Sequence, residues 1–384
     1  MDIVALEQIK RIQYLDRKNL YFIFCFQDTD IFVLESTSNV KIVKLPRIPS
    51  PIAEQFLLPF LAIKYQLDIL HSTGNTSPLF LHCKRIITLH DIIYLREDLQ
   101  LKGGSTYQRI GNAYRKFIVP LVLPKATSIF TVSESEKSEI SSTLPQLKDR
   151  IAIINNASSS NFTPKPEQST LASKLKYNLP NEPFYLVHGN TDPKNNTTNT
   201  LIAFHHLLME GKLKRKIVIT DLKLSEVSKI IKKYNLVGLK DHIHLTNYVN
   251  HEYMPDLYNR AFVFLYPSIR ESFGLPILES MSCGTPVITS NCSCMPEIAN
   301  EAALLVDPFD PKGMAKGIEK IDNDENLRLE LIKKGFNRCK DFSWSESTKK
   351  LIELYKNTFQ PPLRVISKAI DASEKNAFKQ RKAS

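Results

Sequence analysis

Residues 264–297 of this 384-residue chain read FLYPSIRESFGLPILESMSCGTPVITSNCSCMPE, and their pattern is the strongest indication of the fold class. An apolar strand ends at Tyr266, a polar turn follows, and Pro276 stands where the first residues of a helix favour proline. Gly284 ends that helix, and the apolar run 285–289 begins another strand. A strand, a helix and a second strand in this order form a βαβ unit, which predicts a parallel sheet.

The same alternation of strands and helices recurs along the chain. Buried strands are predicted at residues 20–26, 68–71, 86–89, 128–132, 151–154, 185–188, 216–220, 242–245, 261–266 and 285–289. Helices are predicted at residues 3–15, 133–143, 199–210, 224–233, 251–259 and 276–281. The predicted fold class is therefore α/β.

A change of composition divides the chain into two halves. Residues 162–181 are rich in Pro, Ser, Thr and Lys, which is typical of an interdomain linker. We therefore expect an N-terminal domain at 1–164, a C-terminal domain at 165–345, a final amphipathic helix at 346–360 and a basic tail at 361–384. Two open α/β domains present a cleft at the carboxyl ends of their strands, where such sheets bind ligands.

Composition narrows the function classes. The net charge of +11 attracts phosphorylated molecules, anionic lipids or nucleic acid, but no basic stripe interleaved with aromatic residues indicates a nucleic-acid partner. No apolar run is long enough to span a membrane and no leader precedes the first helix, so we expect a cytoplasmic protein. The six cysteines lack a disulfide framework, and Cys292 and Cys294 have no second cluster with which to bind zinc.

The turn before the predicted helix at 276 has the properties of an anion site. The backbone N–H groups of Phe273, Gly274 and Leu275 lie at the positive end of the helix dipole, and glycine permits a phosphate to approach closely. Glu271 and Glu279 are eight residues apart and can face one bound molecule. Because acids repel phosphate, we expect them to contact the uncharged hydroxyl groups of a sugar or ribose.

These residues resemble a known family. Glu271 and Glu279 within RESFGLPILESMSCGTPVI look like the donor-binding half of a retaining, nucleotide-sugar-dependent glycosyltransferase of family 4 (group 1), which has the GT-B fold. Residues 88–93 (TLHDII), 131–135 (TVSES) and 342–344 (FSW) resemble further segments of that family. The resemblance covers about residues 1 to 360. It implies two Rossmann-like domains facing each other across a cleft, with the C-terminal helix returning to the N-terminal domain.

The resemblance also implies roles for individual residues. Glu271 and His90 would be catalytic, Glu279 would hold the nucleotide ribose, and the amides of residues 273–275 would hold the diphosphate. The remaining substrate-binding residues implied in this way are Gly189, Asn190, Lys194, Asn195, Tyr248 and Val249.

The implied function is transfer of a hexosyl unit, of mannose or glucose type, with retention of configuration, in polysaccharide biosynthesis. The donor would be a UDP- or GDP-linked sugar, which is a substrate, and no cofactor or metal is expected. The acceptor would be a glycan or a lipid-linked glycan. An anionic membrane surface is a further candidate partner, because positive charge could hold the protein at the inner face of the membrane.

Two departures from the family pattern leave an alternative open. Family members begin with a strand and a glycine-rich loop, whereas here residues 3–15 are predicted to be helical and the first glycine is Gly74. We therefore expect the opening strand and loop to be missing, either because the chain begins late relative to its relatives or because the cleft has lost one wall. The position of a diphosphate-binding lysine holds Asn195, and Lys194 stands beside it. The alternative is a degenerate glycosyltransferase-like protein that binds a nucleotide or a partner without turnover.

Overall fold

The structure is a computed structural model that describes residues 3–27, 36–95 and 106–359, with only the backbone described at 106–109. The predicted basic tail lies outside these residues. The strands are β1 (Tyr21–Phe26), β2 (Val40–Leu45), β3 (Ile69–Ser72), β4 (Lys84–Thr88), β5 (Ser128–Thr131), β6 (Ile151–Ile153), β7 (Phe184–His188), β8 (Ile217–Thr220), β9 (Ile243–Asn247), β10 (Ala261–Tyr266), β11 (Val287–Ser290) and β12 (Leu304–Val306).

The α-helices alternate with these strands, as the pattern predicted. They are α1 (Ile3–Leu15), α2 (Ser50–Ile52), α3 (Leu58–Lys64), α4 (Thr106–Val122), α5 (Glu134–Thr143), α6 (Leu171–Lys176), α7 (Thr197–Met209), α8 (Leu224–Tyr234), α9 (Met254–Arg260), α10 (Leu275–Ser282), α11 (Met295–Ala299), α12 (Pro311–Asn323), α13 (Glu325–Cys339) and α14 (Trp344–Phe359).

The second half of the chain forms one six-stranded sheet in the order β12-β11-β10-β7-β8-β9. Every neighbouring pair is parallel. This is the doubly wound order, in which the first strand of the set lies at the centre and the chain turns to opposite sides from it. The carboxyl ends of β7 and β10 therefore meet at the point where ligands bind in such sheets.

The first half contains a four-stranded parallel sheet, β3-β4-β5-β6, and a separate parallel pair, β1-β2. The final helix α14 packs against α1, and Leu351 and Ile352 join a buried cluster with Ile9 and Ile12. The last helix thus returns to the first half, as the resemblance implied.

Each strand predicted from the sequence is present, and β2 and β12 were not predicted. In β2 the apolar residues alternate with Lys41 and Lys44, so it lacks the continuous apolar run of its buried neighbours. The strand β12 has three residues, which is too short for a pattern to emerge. The helix predicted at 251–259 begins only at Met254, after a 3₁₀ turn at His251–Tyr253. Among the described residues, no helix is both long and apolar enough to cross a bilayer.

Candidate active site

The turn between β10 and α10 has the geometry expected of an anion site. Gly274 has a φ of +81° and caps α10, with Pro276 in the first turn. A side chain at Gly274 would be strained at this φ, and its Cβ would lie 3.2 Å from Ile277 Cδ1. Within the described part of the chain, the backbone hydrogen bonds engage no N–H of Gly274 or Leu275. These donors are available to a ligand at the positive end of the helix dipole.

Glu271 is held in place through its backbone. Its N–H donates to Ser293 Oγ at 3.2 Å, and the same Oγ donates to its carbonyl at 2.8 Å. The Arg270 guanidinium donates to that carbonyl as well, at 2.9 Å. The Glu271 carboxylate lies 3.9 Å from Lys194 Nζ, which brings a cation from the loop after β7 to this acid.

Glu279 lies one turn into α10 and is buried, with 6% of its surface exposed. His251 Nε2 donates to its Oε1 at 3.0 Å, and the Tyr258 hydroxyl donates to its Oε2 at 3.4 Å. The hydrogen bond to Glu279 raises the pKa of the His251 imidazole above its usual value, although partial burial opposes the rise. Each carboxylate oxygen can accept a second hydrogen bond, so Glu279 remains able to bind a hydroxyl group.

The loop after β7 is shaped by one obligatory glycine. A Cβ at Gly189 would lie 2.6 Å from the carbonyl oxygen of Thr220, so only glycine fits between β7 and β8. Asn190 accepts from the Thr197 hydroxyl at 3.0 Å through its carbonyl and donates to it through its N–H at 3.2 Å. Lys194 lies on the 3₁₀ turn Pro193–Asn195, and its carbonyl accepts from Ile269 N at 2.7 Å. This bond ties the loop to the turn that leads to Glu271.

Asn195 occupies the position where the resemblance implied a lysine. Its amide oxygen is buried, and no partner for it exists among the described residues. Lys194 is therefore the cation that this loop brings towards Glu271.

The predicted histidine loop meets a second loop of the first half. The N–H of His90 donates to Asn75 Oδ1 at 2.8 Å, and His90 Nε2 lies 3.0 Å from the carbonyl oxygen of Thr73. Burial lowers the pKa of the Arg270 guanidinium, but the ion pair with Glu136 and more distant acids, Asp91 among them, raise it on balance. Asp91 follows His90 in the chain, so the charge of the His90 loop acts on the Arg270 guanidinium of the other half.

Several polar contacts join the two halves at the amino end of α5. The Glu297 carboxylate accepts from the N–H groups of Glu134 and Ser135 at 2.9 and 2.8 Å. Ser133 Oγ, the cap of α5, donates to the carbonyl of Ser272 at 2.7 Å. A carboxylate is stabilised at this end of a helix by the unpaired amides and by the dipole.

The same helix end carries an ion pair. Arg270 Nη2 lies 2.8 Å from the carboxylate of Glu136, a residue with 1% of its surface exposed. Burial raises the pKa of Glu136 to about 7, although Arg270 opposes the rise. We call the contacts of Glu297, Ser133 and Arg270 with their partners the α5 junction.

The two implied substrate-binding residues that follow β9 differ in exposure. Tyr248 follows β9 and is 74% exposed, so its ring is free to stack on a ligand. The side chain of Val249 belongs to a buried core cluster. Only the backbone of Val249 can therefore face a ligand.

Five residues of the site were not predicted from the sequence: His251, Tyr258, Arg270, Ser293 and Glu297. Glu297 is the last residue of the quoted stretch 264–297, and its place in that stretch is the one signal that could have identified it. His251 and Glu279 are 28 residues apart, and no local spacing connects them.

Among the described residues, no group of three His, Cys, Asp or Glu side chains is placed to bind a metal ion. Cys292 directs its thiol to the carbonyl of Ile269, whereas Cys294 is fully buried. That the protein needs no metal stays a prediction.

Each half of the chain contains a parallel sheet covered by helices. The free N–H groups at the start of α10 and the acids Glu271 and Glu279 lie beside the junction of the halves. This arrangement is typical of the GT-B fold. Comparisons with solved structures support this class. A glycosyltransferase from Rickettsia africae superposes with a TM-score of 0.70 at 16% identity, covering 93% of this chain and 94% of that one. Anabaena Alr3699/HepE in complex with UDP gives 0.69 at 14% identity, covering 92% and 96%.

Sequence comparison gives the family. The profile "Glycosyl transferases group 1" matches residues 172–338, and the profile "Glycosyltransferase Family 4" matches residues 15–158. The O-antigen chain mannosyltransferase B of Escherichia coli is 33% identical over 234 residues, which are 61% of this chain and 61% of that relative. The two profiles match one half of the chain each, and together with this relative they support a group 1 glycosyltransferase.

Proposed function

We propose that this protein transfers a hexosyl unit, of mannose or glucose type, from a nucleotide sugar to a glycan or lipid-linked acceptor with retention of configuration. The observation that supports this most directly is the Gly274 turn, which leaves the first N–H groups of α10 open beside Glu271 and Lys194. A mannosyltransferase of O-antigen chains is among the relatives, and a structural neighbour was solved with UDP. Both are consistent with a donor of this kind.

The proposed reaction exchanges one bond for another. The bond between the anomeric carbon and the diphosphate oxygen breaks, and the leaving diphosphate keeps the electron pair. The acceptor hydroxyl oxygen bonds to the anomeric carbon, and its proton passes to the leaving diphosphate. Fixed donors aimed at the diphosphate stabilise the charge that develops there, and this is commonly the largest single contribution to such catalysis.

The chain's own residues divide this work between the two ends of the donor. The amides at the start of α10 and the Lys194 ammonium would hold the diphosphate, with Lys194 acting in place of the lysine that Asn195 replaces. Glu271, clamped by Ser293, would contact the transferred sugar. Glu279, oriented by His251, would hold the ribose.

The acceptor side is supplied by the first half. His90 is fixed through Asn75 and Thr73, so its ring has one orientation relative to the cleft. We propose that it contacts the sugar on the face opposite the α10 turn. The net positive charge would draw the protein to an anionic membrane carrying a lipid-linked acceptor, and co-sedimentation with vesicles of increasing anionic lipid content tests this.

A donor screen tests the proposal. The full chain is melted with UDP, GDP, UDP-glucose and GDP-mannose, since a ligand of the folded state raises the melting temperature by mass action. The stabilising sugar nucleotide is then incubated with glycan acceptors, and product is measured by mass spectrometry. We expect Glu271→Gln to abolish transfer. Glu301 is an exposed acid on the same half, and Glu301→Gln should leave transfer unchanged. Stabilisation by none of these ligands together with no transfer would contradict the proposal.

The alternative of nucleotide binding without turnover has one observation in its favour. The lysine position of the β7 loop holds Asn195, whose amide oxygen is buried and has no partner within the described residues. The same screen separates the two functions, because a non-catalytic protein would be stabilised by a nucleotide and would yield neither transfer nor hydrolysis of the sugar nucleotide.

A further inference from the structure

Three polar side chains from separate elements meet near the point where β7 ends. His188 is the last residue of β7, Tyr258 lies on α9 and Glu279 lies on α10. The Tyr258 hydroxyl oxygen is 3.2 Å from His188 Nε2 and 3.4 Å from Glu279 Oε2. The three side chains form one hydrogen-bonded row that ends at Glu279, and we call it the Tyr258 row.

The chemistry of the three groups places the protons of this row. An ionised carboxylate accepts hydrogen bonds and donates none, so the single hydroxyl proton of Tyr258 is directed to Glu279. Burial and the charge of Glu279 raise the pKa of Tyr258 above its usual value, so the hydroxyl keeps this proton. His188 Nε2 must therefore carry a proton and donate a hydrogen bond to the Tyr258 oxygen.

The His188 ring is held in one neutral form. Desolvation, together with the charge of His251, lowers the pKa of the His188 imidazole to about 4, so the ring is uncharged at neutral pH. The ring packs against Phe264 edge to face, with the centroids 4.8 Å apart. A flip of the ring would turn Nε2 away from Tyr258. Tyr258 thus has a donor that does not change its charge around neutral pH.

The Tyr258 side chain is fixed by packing as well. It is fully buried, and its ring meets Phe264 with the centroids 5.1 Å apart and an angle of 81° between the planes. Thr285 Oγ1 donates to the Tyr258 carbonyl. Because the ring cannot move without disturbing this core, its hydroxyl has one position relative to Glu279.

Glu279 is thereby held at both of its carboxylate oxygens. His251 Nε2 contacts Oε1 at 3.0 Å, and the Tyr258 row contacts Oε2. A carboxylate fixed in this way keeps accepting capacity on each oxygen, so it can accept from two neighbouring hydroxyl groups at once. The two hydroxyl groups of a ribose ring are such neighbours, whereas a dideoxyribose has neither.

We propose that Tyr258, supported by His188, is a positioning residue that fixes Glu279 for a ribose diol and so determines the preference of the site for ribonucleotides. This role rests on the proposed function, because it takes Glu279 as the contact of the ribose. A site built to hydrogen-bond a hydroxyl group rejects an analogue that lacks it, since a buried polar group is then left unpaired. A carboxylate that is free to turn loses part of this discrimination.

Calorimetric titration of the full chain tests this role. The probes are UDP, GDP and the 2′,3′-dideoxy analogue of each. Tyr258→Phe keeps the ring and removes only the hydroxyl. We expect the ratio of ribonucleotide affinity to dideoxynucleotide affinity to fall by about tenfold. The ribonucleotide should lose affinity, while the dideoxy analogue, which has no hydroxyl for Glu279, should keep its own.

Tyr185→Phe is the matched control. Tyr185 is a fully buried tyrosine of β7 whose hydroxyl donates to the Asp322 carboxylate, and it belongs to a different core cluster from Tyr258. This variant also removes a buried hydroxyl that is bonded to an acid. It should lose stability in urea unfolding as Tyr258→Phe does, but it should keep the affinity ratio of the wild-type chain.

Two variants of His188 give a second test that does not require Tyr258→Phe to fold. His188→Gln retains an N–H donor for the Tyr258 oxygen and should preserve the affinity ratio. His188→Leu leaves that oxygen without its donor and should lower the ratio. Equal ratios in these two variants would contradict a supporting role of His188.

An unchanged ratio in Tyr258→Phe, or equal losses for the ribonucleotide and its dideoxy analogue, would overturn the positioning role, since either result leaves Tyr258 a packing role only. The same titrations recognise a failure of the proposed function. If the wild-type chain binds neither UDP nor GDP, the proposed function fails and the role of Tyr258 fails with it. If the chain binds one of them and the ratio does not change, only the role of Tyr258 fails.

Discussion

At the scale of single residues, the contact between His251 and Glu279 gives the site a pH dependence. The hydrogen bond raises the pKa of His251, so the folded protein holds this proton more tightly than the unfolded chain. The stabilisation is fully present below pH 6.5 and is lost as the pH rises through the raised value. Because the imidazole is partly exposed, we expect a coupling of only about 1 kcal/mol.

A double-mutant cycle of His251→Ala and Glu279→Gln measures this coupling by urea unfolding. The coupling energy should be largest at pH 5.5 and should approach zero by pH 9. A coupling energy that is the same at both pH values would show that the contact does not depend on the charge of the imidazole.

Lys194 makes a second prediction at this scale. Its ammonium is the cation of the β7 loop that lies near Glu271, so it should interact with a diphosphate more strongly than with a nucleoside. We expect Lys194→Ala to weaken binding of the nucleoside diphosphate by about tenfold, with little effect on the nucleoside. Lys229→Ala, an exposed lysine of α8, is the control. If calorimetric titration shows that Lys194→Ala lowers the affinity for both ligands equally, the role of Lys194 is structural only.

At the scale of elements, the turn that starts α10 depends on a left-handed glycine. Gly274→Ala should cost about 1–2 kcal/mol of unfolding free energy because alanine is strained at positive φ. Gly211 ends α7 with a φ of +67° and has open space around it, so Gly211→Ala carries the same backbone strain away from the site.

Both variants should therefore lose similar stability in urea unfolding, and only Gly274→Ala should lose nucleotide affinity. Thermal shift with the stabilising nucleotide measures the second effect. Equal affinity in the two variants would mean that the α10 turn does not contact the ligand.

The elements also show what the sequence could predict and what it could not. The βαβ unit around Gly274 was predictable because an apolar strand, a glycine, a proline and a second apolar strand follow one another within 30 or so residues. The contact of Arg270 with Glu136 joins residues 134 apart, and it exists only because two separate sheets place their carboxyl ends together. No pattern within one element contains that information.

The division of the first half into two sheets lies between these cases. The apolar pattern of residues 3–15 predicted a helix, and α1 confirms it. That β1 and β3 would remain apart depends on the packing of α1 and α14 against the sheet. Such packing is a property of the tertiary structure and leaves no local signal.

At the scale of the whole molecule, the α5 junction holds the two halves together beside the site. Glu297 accepts two hydrogen bonds from the amino end of α5, and Arg270 pairs with Glu136 on the same helix. His90 and Glu271 belong to different halves, so their separation depends on this junction. Loosening it should impair transfer without removing any residue that contacts the donor.

Glu297→Ala tests this dependence. The two amides of α5 lose their carboxylate partner, and we expect a loss of about 1 kcal/mol of stability, comparable to removal of a helix cap. If the halves separate, the radius of gyration measured by small-angle X-ray scattering should rise and kcat for transfer should fall. Nucleotide affinity should stay unchanged because the α10 turn is intact. Glu301→Ala removes an exposed acid that forms a surface ion pair with Lys334, and serves as the control. Suppose that Glu297→Ala and the control have the same radius of gyration and the same kcat. The halves would then be held in position by apolar contacts, such as that of Val132 with the core of the second half, rather than by the α5 junction.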